Sequence, residues 1–565
     1  MQLIPTPRKF ILKAGTCPAD APVEERRLPG VLPPQGFRLE LTADKIRIDA
    51  ADAPGAFYGR ETLAQIRQQF AAPELPCLEA EDWPDFPDRG YMLDISRDKV
   101  PTMEHLFHLV DALTLLRYNQ LQLYTEHTFA YPAHGTVWRE ASPMTADEIR
   151  ALDVYCRERQ IELVPNQNSF GHMERWLQHE AYHHLAECPD GFIHPISGPR
   201  PTGSVLKPNA DSLHFLKGLY ADLLPHFTSG KFNVGGDEPW ELGQGWSRPA
   251  VEAEGKHGVY TRFLRQLFDL VEAEGRTPLF WADVLLEEPA FVEKLPASAI
   301  PILWGYSADH PFAEQARLLQ GAGCHYYIAP GDSTWNSFGG RQVNMVGNVQ
   351  AAAREGLAHG AAGLLLTHWG DNGHAQVWPV ALPGLTAGGL CAWNGEKFDP
   401  KKLPALLNQL FFKAPTESFA RVLIEHAAID ERIPVSLFNQ SFLKASLRLP
   451  FSELQATLQD CPDSALHDCT QACSAWLEAL AIEKLDCTDG DWVKEELMLA
   501  IQFNRFAARR CLTIKKGASK INALSVSLSQ ELKDLLLRYQ TVWLRRNRLG
   551  GLGDSLARLF NERGE

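Results

Sequence analysis

Gly90-Tyr-Met-Leu-Asp-Ile-Ser96 is the first of eight short, largely apolar runs, each followed by a longer amphipathic segment. The amphipathic segments place apolar residues at helical spacing, as Val259, Phe263 and Leu267 do. Near-continuous apolar strands that alternate with helices predict a parallel sheet buried on both faces. The eight strand candidates are Gly90–Ser96, Gln120–Glu126, Ile161–Asn168, Lys231–Glu238, Thr277–Leu285, Ile300–Tyr306, His325–Pro330 and Gly363–Asp371.

Eight strand–helix units predict an α/β fold of the (β/α)8 TIM-barrel type, and we assign residues 86–395 to this barrel. A segment of this length lies within the ~200 to 400 residues that are typical of the fold. An open, doubly wound sheet is the alternative architecture. It is disfavoured because no glycine-rich phosphate-binding fingerprint follows the first strand.

Two further regions flank the barrel segment. Residues 1–85 predict a small α+β domain, because alternating apolar and polar residues indicate a hairpin that a helix follows. Residues 396–565 predict a helical domain, because no glycine occurs between Gly395 and Gly490 and apolar residues then recur at helical spacing. We expect these helices to pack on the barrel or on a second subunit, which makes a homodimer a candidate assembly.

The chain of 565 residues is acidic, since 55 lysines and arginines against 70 aspartates and glutamates give a net charge of −15. This balance argues against nucleic acid or an anionic membrane as partner, because both require clustered cations. No apolar run is long enough to span a bilayer. The 11 cysteines lack close pairing, and the first residues lack the pattern of a signal peptide. We therefore expect reduced thiols and a cytoplasmic protein.

Carboxylates and tryptophans recur where the predicted strands end. In a TIM barrel the active site forms at the C-terminal ends of the strands. Trp281, Trp304 and Trp369 lie at three of these ends. Flat apolar faces beside fixed hydrogen-bond acceptors suit a sugar ring, whose faces are CH groups and whose edge carries hydroxyls. The pattern predicts a carbohydrate site; the alternative is that the tryptophans only fill the helix layer.

The segment Val234-Gly-Gly-Asp-Glu-Pro-Trp240 carries two glycines and then two carboxylates at the end of the fourth strand. The glycines allow a tight turn and close approach of a ligand to the main chain. Neighbouring residues of a strand point in different directions, so Asp237 and Glu238 cannot have the same role. Adjacent like charges also oppose joint ionisation, which raises one pKa and favours a general acid. A solvated turn is the alternative interpretation.

Three further blocks accompany this turn, in the order Arg89-Gly-Tyr-Met-Leu-Asp-Ile-Ser-Arg97, Phe170-Gly-His172 and, after the turn, Trp369-Gly-Asp371. With these blocks the chain resembles the family 20 glycoside hydrolases, the β-N-acetylhexosaminidases. The resemblance covers about residues 1–395 and excludes the C-terminal helices. It implies the TIM barrel and a small N-terminal domain, in agreement with the pattern of strands and helices.

The resemblance implies a substrate-assisted retaining mechanism, in which the carbonyl oxygen of the substrate's own 2-acetamido group is the nucleophile. Asp237 would then orient the acetamido group and stabilise the positive charge that develops on its nitrogen. Glu238 would protonate the departing glycosidic oxygen and later deprotonate the water that opens the oxazolinium ion. An anion placed where cationic charge grows stabilises the transition state more than the ground state.

The resemblance also assigns residues that bind the terminal sugar. Arg89 is expected to bind its 3- and 4-hydroxyls; an ion pair that closes the barrel bottom is the alternative for this arginine. Asp371 is expected to accept from the 4- or 6-hydroxyl. Trp281, Trp304 and Trp369 are expected to wall the acetamido pocket and to support the sugar ring.

Two parts of the predicted site depart from the family pattern. His172 and Glu126 resemble a histidine–carboxylate pair that supports the catalytic acid, although aspartate is the usual partner of the histidine. The tyrosine that normally holds the acetamido carbonyl has no clear counterpart after the seventh strand. Tyr327 and Asp332 are the candidates for that role by position.

The segment His179-Glu-Ala-Tyr-His183 matches the HExxH zinc pattern, which makes a metal-dependent hydrolase using Glu180 an alternative. No third metal ligand is evident from spacing. A sugar-binding barrel without turnover is a second alternative, which the presence of both Asp237 and Glu238 disfavours. We therefore predict an exo-β-N-acetylhexosaminidase that needs no metal or organic cofactor. Its substrates would be glycans that end in β-linked N-acetylglucosamine, with N-acetylgalactosamine as the alternative.

Overall fold

The computed structural model describes residues 2–70, 73–195, 198–517 and 526–560. Its first part forms five strands and one helix, which are β1 (Lys9–Pro18), β2 (Val23–Arg27), β3 (Phe37–Leu41), β4 (Ile46–Ala50), α1 (Ala53–Gln69) and β5 (Glu74–Asp82). The strands form one sheet in the order β1-β5-β3-β4-β2, and α1 packs on β3 and β4. The helix begins after Asp52, whose side chain accepts a hydrogen bond from the Gly55 N–H. The small α+β unit predicted for this region is thus present.

The next ten strands along the chain are β6 (Asp88–Asp94), β7 (Gln120–Tyr124), β8 (Glu162–Val164), β9 (Phe192–His194), β10 (Gly198–Arg200), β11 (Lys231–Asn233), β12 (Thr277–Trp281), β13 (Ile300–Trp304), β14 (Tyr327–Ala329) and β15 (Gly363–His368). Strands β9 and β10 form an antiparallel hairpin. The other eight form a parallel sheet in the order β11-β12-β13-β14-β15-β6-β7-β8. A parallel bridge between Asn166 and Asn233 joins the two ends of this sheet, so the barrel is closed.

The predicted TIM barrel is confirmed, and each of its strands begins within two residues of the predicted position. The observed strands end one to five residues earlier than predicted, because the residues that follow them turn away from the sheet. Helices cover the outside of the barrel. They are α2 (Met103–Leu115), α3 (Gly135–Trp138), α4 (Ala146–Glu158), α5 (Glu174–Leu177), α6 (Ala210–Leu223), α7 (Arg248–Glu254), α8 (Lys256–Ala273), α9 (Asp283–Leu286), α10 (Pro289–Val292), α11 (Phe312–Gly321), α12 (Gln342–Ala358) and α13 (Trp378–Asn394).

A layer of amide side chains fills the barrel interior below the active-site end. The side-chain oxygen of Gln122 accepts hydrogen bonds from the side-chain amides of Asn166 and Asn233, each at 3.0 Å. The Gln122 amide donates in turn to the Gln120 side-chain oxygen at 3.0 Å. All four side chains are buried, so these mutual hydrogen bonds replace the lost contacts with water. The layer explains why β7 alternates glutamine with leucine.

Arg89 lies at the N-terminal end of β6, opposite the active-site end, and the prediction that it binds the sugar is wrong. Its guanidinium is fully buried. All five of its N–H donors are used by neutral acceptors, at 2.7 to 3.1 Å. The acceptors are the main-chain oxygens of Phe86, Pro87 and Arg117, the Tyr58 hydroxyl and the Gln35 side-chain oxygen. Arg89 thus joins the barrel bottom to the N-terminal domain through hydrogen bonds and forms no ion pair there.

We expect Arg89→Met to destabilise the fold rather than to weaken sugar binding. The substitution leaves buried acceptors without a donor, which should lower the free energy of unfolding by about 3 kcal/mol or more. Urea unfolding, compared with Arg60→Met, measures this effect. Arg60 is a suitable control because it lies in the N-terminal domain that Arg89 contacts and its side chain is 49% exposed. A normal unfolding curve together with a selective rise in KM would instead support a sugar contact.

The last part of the chain is helical, as predicted, and packs on the barrel. Its helices are α14 (Leu403–Leu407), α15 (Ser418–Ala427), α16 (Phe442–Ser446), α17 (Phe451–Gln459), α18 (Asp463–Ile482), α19 (Gly490–Lys515), α20 (Val526–Arg546) and α21 (Leu552–Leu559). The longest of them, α19, packs against α18, α20 and α13. None of the helices in the described segments combines the length and the apolar character that a membrane crossing requires.

The C-terminal helices hold the loop that follows β15. The Ser555 hydroxyl donates a hydrogen bond to the Gly373 carbonyl. The Lys444 ammonium donates to the Asn372 carbonyl at 3.2 Å. Both carbonyls directly follow Asp371 in sequence, so α16 and α21 hold the main chain beside a predicted sugar-binding residue.

Candidate active site

The turn after β11 carries the two adjacent carboxylates. Gly235 has a φ of +73°, and a Cβ at this position would lie only 1.9 Å from the Asn168 side-chain oxygen. Only glycine fits there. Glu238 has a φ of +49°, in the left-handed region that non-glycine residues seldom adopt. Its main-chain N–H donates to Asp283 Oδ2 at 3.1 Å, which fixes this strained conformation.

Asp237 and His172 form a buried ion pair. Asp237 Oδ2 lies 3.0 Å from His172 Nε2, and the two side chains are only 9% and 18% exposed. Burial alone would lower the pKa of His172, but the attraction of Asp237 outweighs it and raises that pKa to about 9. In the same way burial favours neutral Asp237, yet the nearby imidazolium holds the pKa of Asp237 below its ordinary value. Asp237 is therefore an anion at neutral pH.

Glu238 has the opposite electrostatic character. Burial and the neighbouring Asp237 charge raise its pKa above the ordinary value, and this effect exceeds the opposing pull of His172. The Glu238 carboxylate lies 3.8 Å from His172 Nε2, and its side chain is 34% exposed. The pKa values of two adjacent carboxyls are thus shifted in opposite directions, downward for Asp237 and upward for Glu238. This difference is the usual arrangement of an electrostatic stabiliser beside a general acid.

Asp283 is a third carboxyl beside this pair, which the sequence reasoning did not select. Burial, followed by the repulsion of Asp237, raises the pKa of Asp283 to about 8. Its second oxygen lies 3.4 Å from the indole nitrogen of Trp304. Asp283 lies two residues after the end of β12. This position could have identified it as part of the active-site end of the barrel.

Arg97 is the arginine at the active-site end, and the sequence reasoning missed it. Its guanidinium lies over the rings of Tyr124 and Trp369, at 4.8 and 4.9 Å from their centroids. It faces Glu126 Oε1 at 3.5 Å and Asp371 Oδ1 at 3.8 Å. The signal was available, because Arg97 follows β6 whereas Arg89 lies near its start. Asp371, predicted from the sequence, is thus brought to the same cleft.

Glu126 lies in this cleft, but it does not contact His172 as predicted. It is buried, and it accepts a hydrogen bond from the Tyr124 hydroxyl at 2.9 Å. Burial raises the pKa of Glu126 to about 7. The His172 ring instead contacts Asp237 through one nitrogen and faces Arg97 at 3.3 Å through the other. Glu126 reaches the histidine only through Arg97.

The predicted tryptophans form an aromatic wall at the mouth of the barrel, together with two further rings. Trp304 stacks on Tyr306 with ring centroids 5.1 Å apart, and Trp281 lies 5.8 Å from Trp369. The rings of Trp335 and Tyr306 are nearly perpendicular, with their centroids 5.2 Å apart. Five aromatic rings therefore form one cluster at the active-site end of the barrel, and their apolar faces suit contact with a small apolar group such as an acetamido methyl.

The two candidates for the acetamido-binding residue are placed elsewhere, so both predictions are wrong. The Tyr327 hydroxyl donates to Asp88 at the N-terminal end of the barrel. Asp332 follows β14 at the correct end, but its side chain is fully buried. Its oxygens are engaged by Thr334 and His368. The prediction for Tyr327 is wrong because this residue begins its strand, away from the active-site end. The prediction for Asp332 is wrong because its side chain is buried within the protein.

The HExxH segment is not a metal site in the structure. Glu180 begins a 3₁₀ helix, Glu180–Leu185, and His179 lies before it in extended backbone. A 3₁₀ helix has three residues per turn, so His179 and His183 do not share a face. In the segments that the structure describes, three metal-ligand atoms converge only at His172, Asp237 and Glu238. That group is the ion pair described above with its neighbouring carboxyl.

Comparisons with known families match the two parts of the chain described so far. The model of the glycosyl hydrolase family 20 catalytic domain matches residues 86–352. The model of domain 2 of the same family matches residues 8–83. Together the two models match more than half of the chain.

Curated relatives are similar over part of the chain. A β-hexosaminidase of Akkermansia muciniphila is 27% identical over 49% of this chain and 61% of its own length. Hexosaminidase D of Homo sapiens is 25% identical over 51% of this chain and 62% of its own length. The chain thus spans about three fifths of the length of these two relatives.

Solved structures share the fold. The crystal structure of a β-N-acetylhexosaminidase superposes with a TM-score of 0.59 at 21% identity, over 72% of this chain and 94% of that one. The chitobiase of Flavobacterium johnsoniae superposes with a TM-score of 0.60 at 17% identity, over 98% of both chains. At these identities the likeness concerns the fold.

Proposed function

Because the chain belongs to glycosyl hydrolase family 20, and is therefore a glycoside hydrolase, we propose that it is an exo-β-N-acetylhexosaminidase. It removes terminal β-linked N-acetylglucosamine from glycans, with N-acetylgalactosamine as the alternative sugar, and it retains the anomeric configuration. The single observation that supports this proposal best is the pair of adjacent carboxyls after β11, of which Asp237 is buried against His172 at 3.0 Å and Glu238 is 34% exposed. Asp237 is held ionised by His172, and Glu238 is inclined to keep its proton.

In the first step the acetamido carbonyl oxygen attacks the anomeric carbon while the glycosidic C–O bond breaks. Glu238 transfers its proton to the departing oxygen. The cyclic oxazolinium ion carries its positive charge partly on nitrogen, where the Asp237 carboxylate stabilises it. Because the nucleophile belongs to the substrate, no second reactant has to be brought into position.

In the second step a water molecule attacks the same carbon and opens the ring. The Glu238 carboxylate takes one proton of that water, which restores the acid and the free acetamido group. The partial exposure of Glu238, at 34% of its side chain, suits a group that meets both leaving group and water. Asp237, at 9%, is shielded from water, which strengthens its interaction with the cation.

Arg97 and Asp371 are the proposed partners of the sugar hydroxyls. Arg97 takes the role that the resemblance had assigned to Arg89, because Arg97 lies in the cleft. Asp371 is 34% exposed beside it and can accept from the 4- or 6-hydroxyl. The Tyr306 hydroxyl, within the aromatic wall, is the proposed donor to the acetamido carbonyl.

A panel of 4-nitrophenyl glycosides tests the function. We expect turnover of the β-N-acetylglucosaminide and, at a rate that defines the C4 preference, of the β-N-acetylgalactosaminide. The β-glucoside, which lacks the nucleophile, should react at least ~10²-fold more slowly, because the intramolecular attack is lost. A thiazoline mimic of the cyclised intermediate should bind far more tightly than the free sugar. Comparable turnover of the β-glucoside would contradict substrate assistance.

A further inference from the structure

A polar cavity of about 410 Å³ adjoins the general acid. Its wall includes Glu238, His172 and Trp240. The oxygen that Glu238 protonates is bonded to the leaving group, so the leaving group must extend into this cavity when the terminal sugar occupies the site. The half-buried ring of Trp240 offers an aromatic face to such a group.

Three arginines from separate parts of the chain line the same cavity. Arg175 belongs to α5, Arg200 to the β9–β10 hairpin and Arg558 to α21 of the C-terminal domain. The acidic side chains that line it are Glu174 and Glu238. Glu238 is neutral in the form that donates its proton. The lining of the cavity is therefore richer in positive than in negative charge.

A buried carboxylate fixes two of these guanidinium groups. Asp98 Oδ1 lies 3.0 Å from Arg175, and Asp98 Oδ2 lies 2.7 Å from Arg558. The Asp98 side chain is 1% exposed, whereas those of Arg175 and Arg558 are 25% and 39% exposed. Asp554, at 2.6 Å, is a second and largely solvated partner of Arg175. Asp98 thus lies behind the two arginines, which keep part of their surface toward the cavity.

Further cations lie behind Arg558. Burial and, to a lesser extent, the positive charges of Arg448 and Arg558 lower the pKa of Lys444 to about 7, against the pull of Asp371. Burial and Arg558 likewise lower the pKa of Arg448. Both shifts are consistent with basic side chains close together where α16 meets α21, behind the arginines that line the cavity. An anion bound there would relieve part of their mutual repulsion.

We infer, on the basis of the proposed function, that this cavity binds a leaving sugar that carries a carboxylate, and that Arg558 contributes to this selectivity. Guanidinium groups bind carboxylates through paired, charge-assisted hydrogen bonds. Arg558 donates to Asp98 through Nη1, one of its three guanidinium nitrogens. The substrate class is therefore an acidic oligosaccharide with a terminal N-acetylhexosamine. The C-terminal domain takes part in choosing that substrate.

The test compares three disaccharides with N-acetylglucosamine at the non-reducing end. The second sugar is N-acetylglucosamine, N-acetylmuramic acid or glucuronic acid, so the last two carry carboxylates in different places. We expect kcat/KM for at least one acidic disaccharide to exceed that for the neutral one by about tenfold, the size of one charge-assisted hydrogen bond. Which acid is preferred identifies the source of the carboxylate. The preference should shrink as salt is added.

Arg558→Gln should reduce the acidic-to-neutral ratio of kcat/KM about fivefold or more, and Arg558→Lys should retain part of it. Arg200→Gln, on the hairpin, is a second variant in case loss of the Asp98 contact impairs folding. Arg354→Gln, whose side chain is 69% exposed on α12, is the control and should leave the ratio unchanged. Equal kcat/KM values for the three disaccharides, or a ratio that neither variant changes, overturns the inference. Failure to cleave the nitrophenyl β-N-acetylglucosaminide would instead overturn the proposed function itself.

Discussion

Glu238→Gln is expected to lower kcat for N,N′-diacetylchitobiose by about 10² to 10⁴-fold, the usual range for loss of a general acid. The amide has the shape of the carboxyl but cannot supply the proton that the leaving oxygen requires. A 4-nitrophenolate leaving group departs without much protonation, so the loss on the nitrophenyl glycoside should be much smaller. The ratio of the two losses, measured from initial rates, identifies the role of Glu238.

Glu254→Gln is the matched control for this variant. Glu254 ends the helix α7 at the surface, with its side chain 37% exposed. The control should react at the wild-type rate with both substrates. Equal losses on the two substrates in Glu238→Gln would show that the residue does not act on the leaving group.

Asp237→Asn should lower kcat on the nitrophenyl glycoside itself by about 10² to 10³-fold, the range found when one electrostatic stabiliser is removed. The reason is that the charge opposite the developing oxazolinium nitrogen is lost, whatever the leaving group. The same change removes the anion that raises the pKa of His172 to about 9. In an NMR titration the pKa of His172 should therefore fall in the variant, since burial is then opposed mainly by the weaker attraction of Glu238.

Asp269→Asn provides the comparison for Asp237→Asn, because Asp269 is exposed on α8. It should change neither the rate nor the titration of His172. An Asp237→Asn enzyme that keeps its wild-type rate on the nitrophenyl glycoside would eliminate the proposed role of this carboxylate. An unchanged His172 titration would show that the ion pair is not formed in solution.

The succession of apolar runs and amphipathic segments was sufficient to predict the barrel, because most strands buried on both faces are largely apolar, although β7 carries the buried glutamines of the amide layer. It predicted strand starts better than strand ends. The strand β11 stops at Asn233, five residues before the predicted end, because Gly235 and Glu238 adopt left-handed backbone conformations that no strand can contain. The residues that carry the chemistry are those that leave the sheet, so a pattern of strand residues cannot set that boundary.

The geometry of β6 explains why the sequence analysis chose Arg89 rather than Arg97 as the sugar-binding arginine. Arg89 and Arg97 belong to one block of sequence, with Arg89 at the start of β6 and Arg97 three residues after its end, and seven residues of strand span ~23 Å. Two arginines in the same motif thus lie at opposite ends of the barrel. Recognising the motif does not tell which arginine lies at the active-site end. Their positions relative to the start and the end of the strand do.

The acetamido-binding residue was harder to predict. The aromatic wall collects rings from the ends of β12, β13 and β15 and from the loop after β14, which are far apart in sequence. Whether a ring faces the cleft depends on the conformation of residues that follow each strand. Tyr306, the proposed donor to the acetamido carbonyl, stands at the end of a predicted strand, but its stacking on Trp304 could not be predicted from the sequence.

The hydrogen bonds from Ser555 and Lys444 to the loop after β15 have a consequence for how this enzyme can be dissected. The catalytic-domain model ends at residue 352, before both the last barrel strand and these tethers. A barrel excised from its tail would keep both acids of the turn yet release the segment bearing Asp371. We expect a truncated barrel of this kind to lose the sugar binding proposed for Asp371, so a fragment made for activity measurements should retain the helices.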